Sequence, residues 1–252
     1  MALGTGASEN GDMPPMRLEF EELTGWLGAL RTPVVTSWVL RGPDGVVLVD
    51  ANLAGQHDAI LGALAEWLGV RYDAVPLRQI VLTHAHPDHY GSANELAGRT
   101  GAKLLGPAEE ADVFSGRSQL PAPPLSDWEK SIFERVVPDV LPAPPLVLDH
   151  HLRAGHRLEG YLGAELVAAP GHTPGQLVVW VPQHRTLLAA DALATREGRA
   201  SPGAFNVDPD EAATTAARLL EELRPVRVCV AHGQPVSGDP VGFTSRTSRE
   251  TP

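Results

Sequence analysis

From Thr83 to His89 the chain reads Thr-His-Ala-His-Pro-Asp-His, three imidazoles and a carboxylate within six residues. The apolar run Ile80-Val81-Leu82 comes directly before it. Neutral imidazole and carboxylate are the ligands of zinc and of other first-row divalent metals. A strand that ends in such a cluster delivers all four groups, His84, His86, Asp88 and His89, to one edge of a sheet. More groups of the same kind occur at comparable places. Asp50 ends the run Val46-Val47-Leu48-Val49, Asp191 follows residues 186–190, and His232 follows residues 227–231. His172 sits in the turn Pro170-Gly171-His172-Thr173-Pro174-Gly175, just after residues 165–168. One polar residue at a strand end means little. Asp50, His84, His172, Asp191 and His232, all His or Asp, indicate one convergent site built by loops on a rigid scaffold.

The elements that must position these groups follow from periodicity. Residues 17–20 alternate and read as a first strand. Residues 34–40 and 46–49, joined by Gly42-Pro43-Asp44-Gly45, read as a hairpin. Residues 56–68 place Ile60, Leu61, Leu64, Trp67 and Leu68 on one helical face, stopped at Gly69. Ser92-Ala93-Asn94-Glu95 has capping-box spacing and starts a second helix ending near Gly101. A short strand over 103–105 and a short helix over 107–114 follow. Residues 116–145 hold seven prolines. Within them Ser126-Asp127-Trp128-Glu129 starts a helix with Trp128, Ile132, Phe133, Val136 and Val137 on one face. This segment reads either as an insertion packed near the active face or as a core helix between two linkers. The remainder is mostly strands (147–148, 165–168, 176–181, 186–190, 227–231), with a loop after Asp191. One helix, started by Asp208-Pro209, runs to Leu223.

Composition bounds the function. The chain has 252 residues, 43% hydrophobic, with a formal net charge of −11 and no basic run. That argues against a nucleic-acid surface, which needs clustered Lys and Arg. Its single cysteine, Cys229, lies in Val228-Cys229-Val230 and reads as a buried strand residue. No apolar stretch approaches a membrane span, and residues 1–15 lack the basic start and apolar core of a signal peptide. The expectation is a cytoplasmic protein acting on a small molecule, without membrane or nucleic-acid partners; oligomeric state is not legible. Residues 1–15 and 238–252 read as disordered tails around a single domain, 16–237, carrying a Pro-rich insertion at about 116–145.

The motifs His84-x-His86-x-Asp88-His89, Pro-Gly-His172-Thr-Pro-Gly, Leu-Ala-Ala-Asp191 and Ala-His232-Gly, with Asp50 after the hairpin, resemble the metallo-β-lactamase superfamily of binuclear metallohydrolases. The resemblance spans about Val34 to Gln234 and points to its glyoxalase II and lactonase-like branch. It implies an α/β fold, a four-layer αββα sandwich of two mixed β-sheets flanked by helices. It implies two divalent metal ions, zinc foremost, with manganese or iron as alternatives. His84, His86 and His172 would hold the first, Asp88, His89 and His232 the second, and Asp191 would bridge them. The alternation of His84 and His86 suits ligation of one ion from extended backbone. Asp88 would orient the nucleophile or take its proton, and Asp50 would orient a ligand imidazole, unless it caps its own turn.

The expected reaction is hydrolysis by a metal-bridging hydroxide of an ester-like, lactone or thioester bond. Features of the chain weigh against particular branches. Glyoxalase II adds a C-terminal helical domain, for which few residues follow His232. Zinc β-lactamases usually lack the bridging Asp. Lactonases often carry a tyrosine after it, where this chain has Ala192-Leu193-Ala194. The alternatives are an iron persulfide dioxygenase, whose metal would sit on His84, His172 and Asp191, and a non-catalytic metal-binding module. His57, His156 and His184 read as surface residues, and His150 and His151 as groups that could approach the site.

Overall fold

A computed structural model of the chain describes residues 17–136 and 140–238. The expectations for residues 1–15, for Val137 and for the tail beyond Gly238 fall outside the described residues. Strands β1 (Glu19–Thr24), β2 (Leu27–Arg31), β3 (Thr36–Gly42) and β4 (Gly45–Val49) form an antiparallel meander. Helix α1 (His57–Leu68) then carries the chain across to β5 (Leu77–Val81), which pairs parallel with β4. The turn α2 (Pro87–Tyr90) and helix α3 (Ala93–Thr100) lead to β6 (Lys103–Pro107), also parallel. After α4 (Ala111–Phe114) and α5 (Asp127–Val136), β7 (His150–Leu152) completes a seven-stranded mixed sheet in chain order.

The second sheet has five strands. β8 (Glu165–Ala168), β9 (Leu177–Val181) and β10 (Thr186–Ala190) run antiparallel. The chain next makes the hairpin β11 (Leu193–Arg196) and β12 (Arg199–Pro202), then α6 (Pro209–Leu223). β13 (Arg227–Val230) returns parallel to β10, and β14 (Val236–Ser237) closes the edge.

Three buried clusters show the layers. Ile60, Leu61 and Leu64 of α1 and Leu96 of α3 pack on Val46, Leu48, Ile80 and Leu82 of the first sheet. Trp38, Leu40, Val47 and Val81 of that sheet meet Leu166, Val179, Leu188 and Cys229 of the second. Ala216, Leu219 and Leu220 of α6 cover Leu187, Ala189, Val228 and Val230 on its far side. The order helix, sheet, sheet, helix is the αββα sandwich expected. Alternating side chains bury both faces of each sheet, so strand ends are the places where polar groups can stand. Cys229 is buried as expected, and burial pushes its thiol up to about 12, out of nucleophilic range.

Five local expectations are settled differently or more narrowly by the structure. Ser92 does not cap α3 with its side chain. Its hydroxyl instead donates to the Leu53 carbonyl and accepts from Gln56 N–H, stapling the segment after β4 to α3. The loop after Asp191 is a hairpin, and the strand expected at 147–148 lies at 150–152. The 126–137 helix is no core helix, because Trp128 is 59% and Phe133 36% exposed. His57 is half-buried rather than superficial, its Nε2 against the Arg99 guanidinium. Asp208 does cap α6, accepting from Glu211 N–H, with Pro209 at the first position.

Candidate metal centre

All seven expected ligands come together where the ends of β5, β8, β10 and β13 meet. His84, His86, His172 and Asp191 form one group, and Asp88, His89 and His232 a second; within each, the ligand atoms lie within 4.8 Å of one another. The chain switches between groups at Pro87. His86 has extended backbone, and Pro87 then starts one helical turn that sends Asp88 and His89 to the second group. Asp191 is aimed by a bulge in the β10–β13 register and by Ala190, which adopts φ 44°. Left-handed backbone costs an alanine about 1–2 kcal/mol, so the surrounding sheet must enforce it. Gly203 fits here because a Cβ would stand 2.1 Å from the Asp191 carbonyl oxygen.

Hydrogen bonds fix the tautomers. Thr83 Oγ1 donates to Asp50 Oδ2 at 2.9 Å, which leaves its lone pair for His84 Nδ1–H at 3.0 Å. His172 Nδ1–H donates to the Ala204 carbonyl at 3.0 Å, and His232 Nδ1–H to the Val34 carbonyl at 2.9 Å. His89 Nδ1–H donates to Asp50 Oδ2 at 2.8 Å. In its neutral form each of these rings therefore turns the Nε2 lone pair inward. Asp50 also accepts from Thr83 N–H, so its carboxylate serves neighbours across the sheet edge rather than its own turn.

The charges follow from burial and contact. Burial, with the neighbouring imidazoles, holds His84 well below its usual range and pushes His86 down to about 3; His172 is lowered as well. Burial opposes a proton on His89, but Asp191, Asp50 and Asp88 outweigh it and raise it well above the usual range. Desolvation likewise opposes charge on His232, yet Asp191 and Asp88 raise it to about 9. Burial would raise Asp191, but His232, His89 and His172 hold it well below the carboxylate range. A cation entering the second group must displace protons, so its binding there weakens on acidification.

A profile of the Metallo-beta-lactamase superfamily matches residues 30–232. The chain belongs to that superfamily. Among its relatives, the probable metallo-hydrolase YybB of Bacillus subtilis is 28% identical over 82% of this chain and 84% of its own. The uncharacterized protein YobT of the same organism is 30% identical, over 79% and 83%. Hydroxyacylglutathione hydrolase of Rhodobacter capsulatus is 29% identical over 62% of this chain but 48% of its own. Among solved structures, a metallo-beta-lactamase from Pontibacter korlensis shares 18% identity at a TM-score of 0.66, over 89% of this chain and 94% of the other. TTHA1623 in a di-iron-bound form shares 24% at 0.58, over 82% and 92%. This superfamily member is a hydrolase of the metallo-β-lactamase fold.

Its two groups fit divalent metal. His84 Nε2 and His172 Nε2 each stand 3.0 Å from His86 Nδ1, so three buried nitrogens converge with too few protons to satisfy them. His89 Nε2 and Asp191 Oδ1, both buried, have no hydrogen-bond partner. A tetrahedral ion with bonds of about 2.0–2.1 Å sets ligand atoms about 3.3 Å apart, close to these spacings. His150 and His151 stand exposed on the edge strand β7, outside both groups. His156 and His184 are exposed as expected, and His184 stacks on Trp26. No helix among the described residues is long and apolar enough to cross a membrane.

Three features of the site were not read from the sequence. The Val34 and Ala204 carbonyls orient His232 and His172, but any residue type supplies a carbonyl. Glu110, 1% exposed, bonds to both ligand-bearing loops of the first group, yet stands in sequence as one of two adjacent glutamates.

Proposed function

We propose that this chain is a binuclear metal-dependent hydrolase that cleaves an ester-like, lactone or thioester bond of a small molecule. The observation that carries this reading is the position of Asp191. Its Oδ2 lies 3.3 Å from His172 Nε2 of the first group and 3.3 Å from His232 Nε2 of the second, and its Oδ1 3.3 Å from His89 Nε2. One carboxylate faces both groups, as a bridging ligand must. His84, His86 and His172 would hold one ion, and Asp88, His89 and His232 the other. Zinc is the expected metal, with manganese or iron compatible with the same donors. Bound there, two such ions activate water near neutral pH and polarise the bond under attack.

The chain's own groups do the rest. Asp88 Oδ2 stands 3.6 Å from His232 Nε2 and 3.8 Å from His89 Nε2, at the mouth of the second group. In this reading it orients the attacking water and accepts its proton. Asp50 keeps the His89 lone pair turned inward. The relative named hydroxyacylglutathione hydrolase brings acyl thioesters into the range of substrates. The test is a panel of lactones, thioesters and aryl esters, run on metal-loaded and chelator-treated protein. Hydrolysis of one class, abolished by chelation and restored by zinc or manganese, is the expected result. Chelator-insensitive turnover would sink the reading.

Helix α5 flanks this site. Glu129 Oε1 accepts from Phe205 N–H at 2.9 Å, and the Phe133 ring meets the Phe205 ring edge-on at 5.7 Å. Phe205 follows Ala204, whose carbonyl holds His172. Val140, beyond α5, packs on Val35, Leu53 and Ala231. Exposed Trp128 and Phe133 thus form an apolar flank for an acyl group. Burying such a ring is worth about 1.5–3 kcal/mol, or roughly ten-fold or more in binding. Trp128→Ala should raise KM for a long-chain ester about ten-fold, leaving metal content and the short-chain ester unchanged. Equal loss on both esters would remove α5 from substrate binding.

A further inference from the structure

We infer that Glu110 is the positioning residue of the first ligand group, the buried anion that fixes the His84–His86 segment against the His172 turn; this rests on the metal-binding reading above. Glu110 ends a short 3-10 turn, Ala108–Glu110, that follows β6. Its Oε2 accepts from Ala85 N–H at 2.7 Å, and Ala85 lies between His84 and His86. Its Oε1 accepts from Gly175 N–H at 2.9 Å and from the hydroxyl of Thr173, the neighbour of His172. The two loops belong to different sheets, one after β5 and one between β8 and β9. A single carboxylate on a third segment therefore joins them.

The chemistry of these contacts favours an ionised carboxylate. All three partners donate, and the anion accepts on both oxygens with no proton left to place, whereas the acid would need an acceptor for its O–H. No ion pair with Glu110 exists among the described residues. Burial raises its pKa, while the bonds from Thr173, Ala85 and Gly175 oppose that rise. A buried anion without a counter-ion is costly, and backbone donors alone rarely justify one. Here the nearby cation would be the metal itself. Glu110 touches no ligand atom. It acts through Ala85 and Thr173 on the spacing of the three imidazole nitrogens. Asp50 does the equivalent for His89, so each ligand group has a buried carboxylate behind it.

The test is a Co2+ titration of metal-free wild-type and Glu110→Gln protein, followed by absorption and by chelator competition. Glutamine keeps the size but has one acceptor oxygen, so its amide must turn N–H groups toward one of the two loops. The first ligand group should lose about 10–100-fold in affinity, as outer-sphere carboxylate losses do, while the second changes less than three-fold. Thr173→Val removes one of the three donors, so it should weaken the same step by less. It also serves if Glu110→Gln fails to fold. Two binding steps unchanged in the variants, or weakened equally, would overturn the inference. Wild-type protein without two steps would overturn the binuclear reading itself, and this inference with it.

Discussion

His86→Ala protein is expected to fold, to lose the metal of the first group, and to hydrolyse its substrate on the order of 10³-fold more slowly or worse. His86 Nδ1 is the hub of that group, 3.0 Å from both His84 Nε2 and His172 Nε2. Without it two imidazoles remain, with an Asp191 already shared with the second group, a poorer donor set than three imidazoles and the carboxylate. Water then keeps its ordinary acidity and the developing oxyanion loses its electrophile, each worth several kcal/mol. The fold should survive because His86 is half-buried and lies outside the apolar clusters. His184→Ala is the control. That side chain stacks on Trp26, with ring centroids 4.3 Å apart, remote from the ligand groups, and its loss should leave turnover and metal content unchanged. Metal content by elemental analysis and kcat measured on the same samples decide the matter. Full activity in metal-depleted His86→Ala would refute the mechanism.

Asp50→Asn should have the second largest effect, through a tautomer. Asp50, 3% exposed, accepts from Thr83 N–H, Thr83 Oγ1–H and His89 Nδ1–H. Asparagine has one acceptor oxygen. If that oxygen takes the Oδ1 place on Thr83 N–H, the amide nitrogen takes the Oδ2 place, faces His89 Nδ1 and Thr83 Oγ1 as a donor, and drives the His89 ring proton to Nε2. The lone pair that His89 turns toward Asp191 is then gone. Second-group affinity and kcat should each fall about 10–100-fold, and the first group should weaken less, through Thr83 and His84. Asp50→Ala should also lose stability, because it leaves buried donors unpaired at about 1–3 kcal/mol each. Metal stoichiometry of Asp50→Asn, read beside that of His86→Ala, checks that the two substitutions empty different groups.

Much of this was legible in the chain because ligands at strand ends announce themselves twice, by residue type and by the apolar run before them. Asp50, His84, Asp191 and His232 were found this way. The layers followed too, since α1 and α6 have clean apolar faces and caps at Gly69 and Asp208. What escaped was set by partners distant in sequence. β2 has one polar end residue and no alternation, and it is a strand because β1 and β3 pair with it. The β11–β12 hairpin turns on Glu197-Gly198, both at positive φ, a weak signal in a stretch without an alternating apolar run. Ser92 has the spacing of a capping residue, yet bonds to Leu53 and Gln56 gave its hydroxyl better use. Glu110 could not be told from Glu109, because only the fold decides which of two adjacent carboxylates points inward. Ala190 gives no sign of a left-handed backbone, which the bulge beside β13 imposes.

The most direct measurement is the number of metal ions per chain, by elemental analysis, in protein purified without chelator or added metal, with hydrolysis followed as metal is removed and restored. The account predicts about two divalent ions per chain and activity that returns only when both groups are filled. One ion per chain supporting full hydrolysis would contradict it, and so would hydrolysis by protein that holds none.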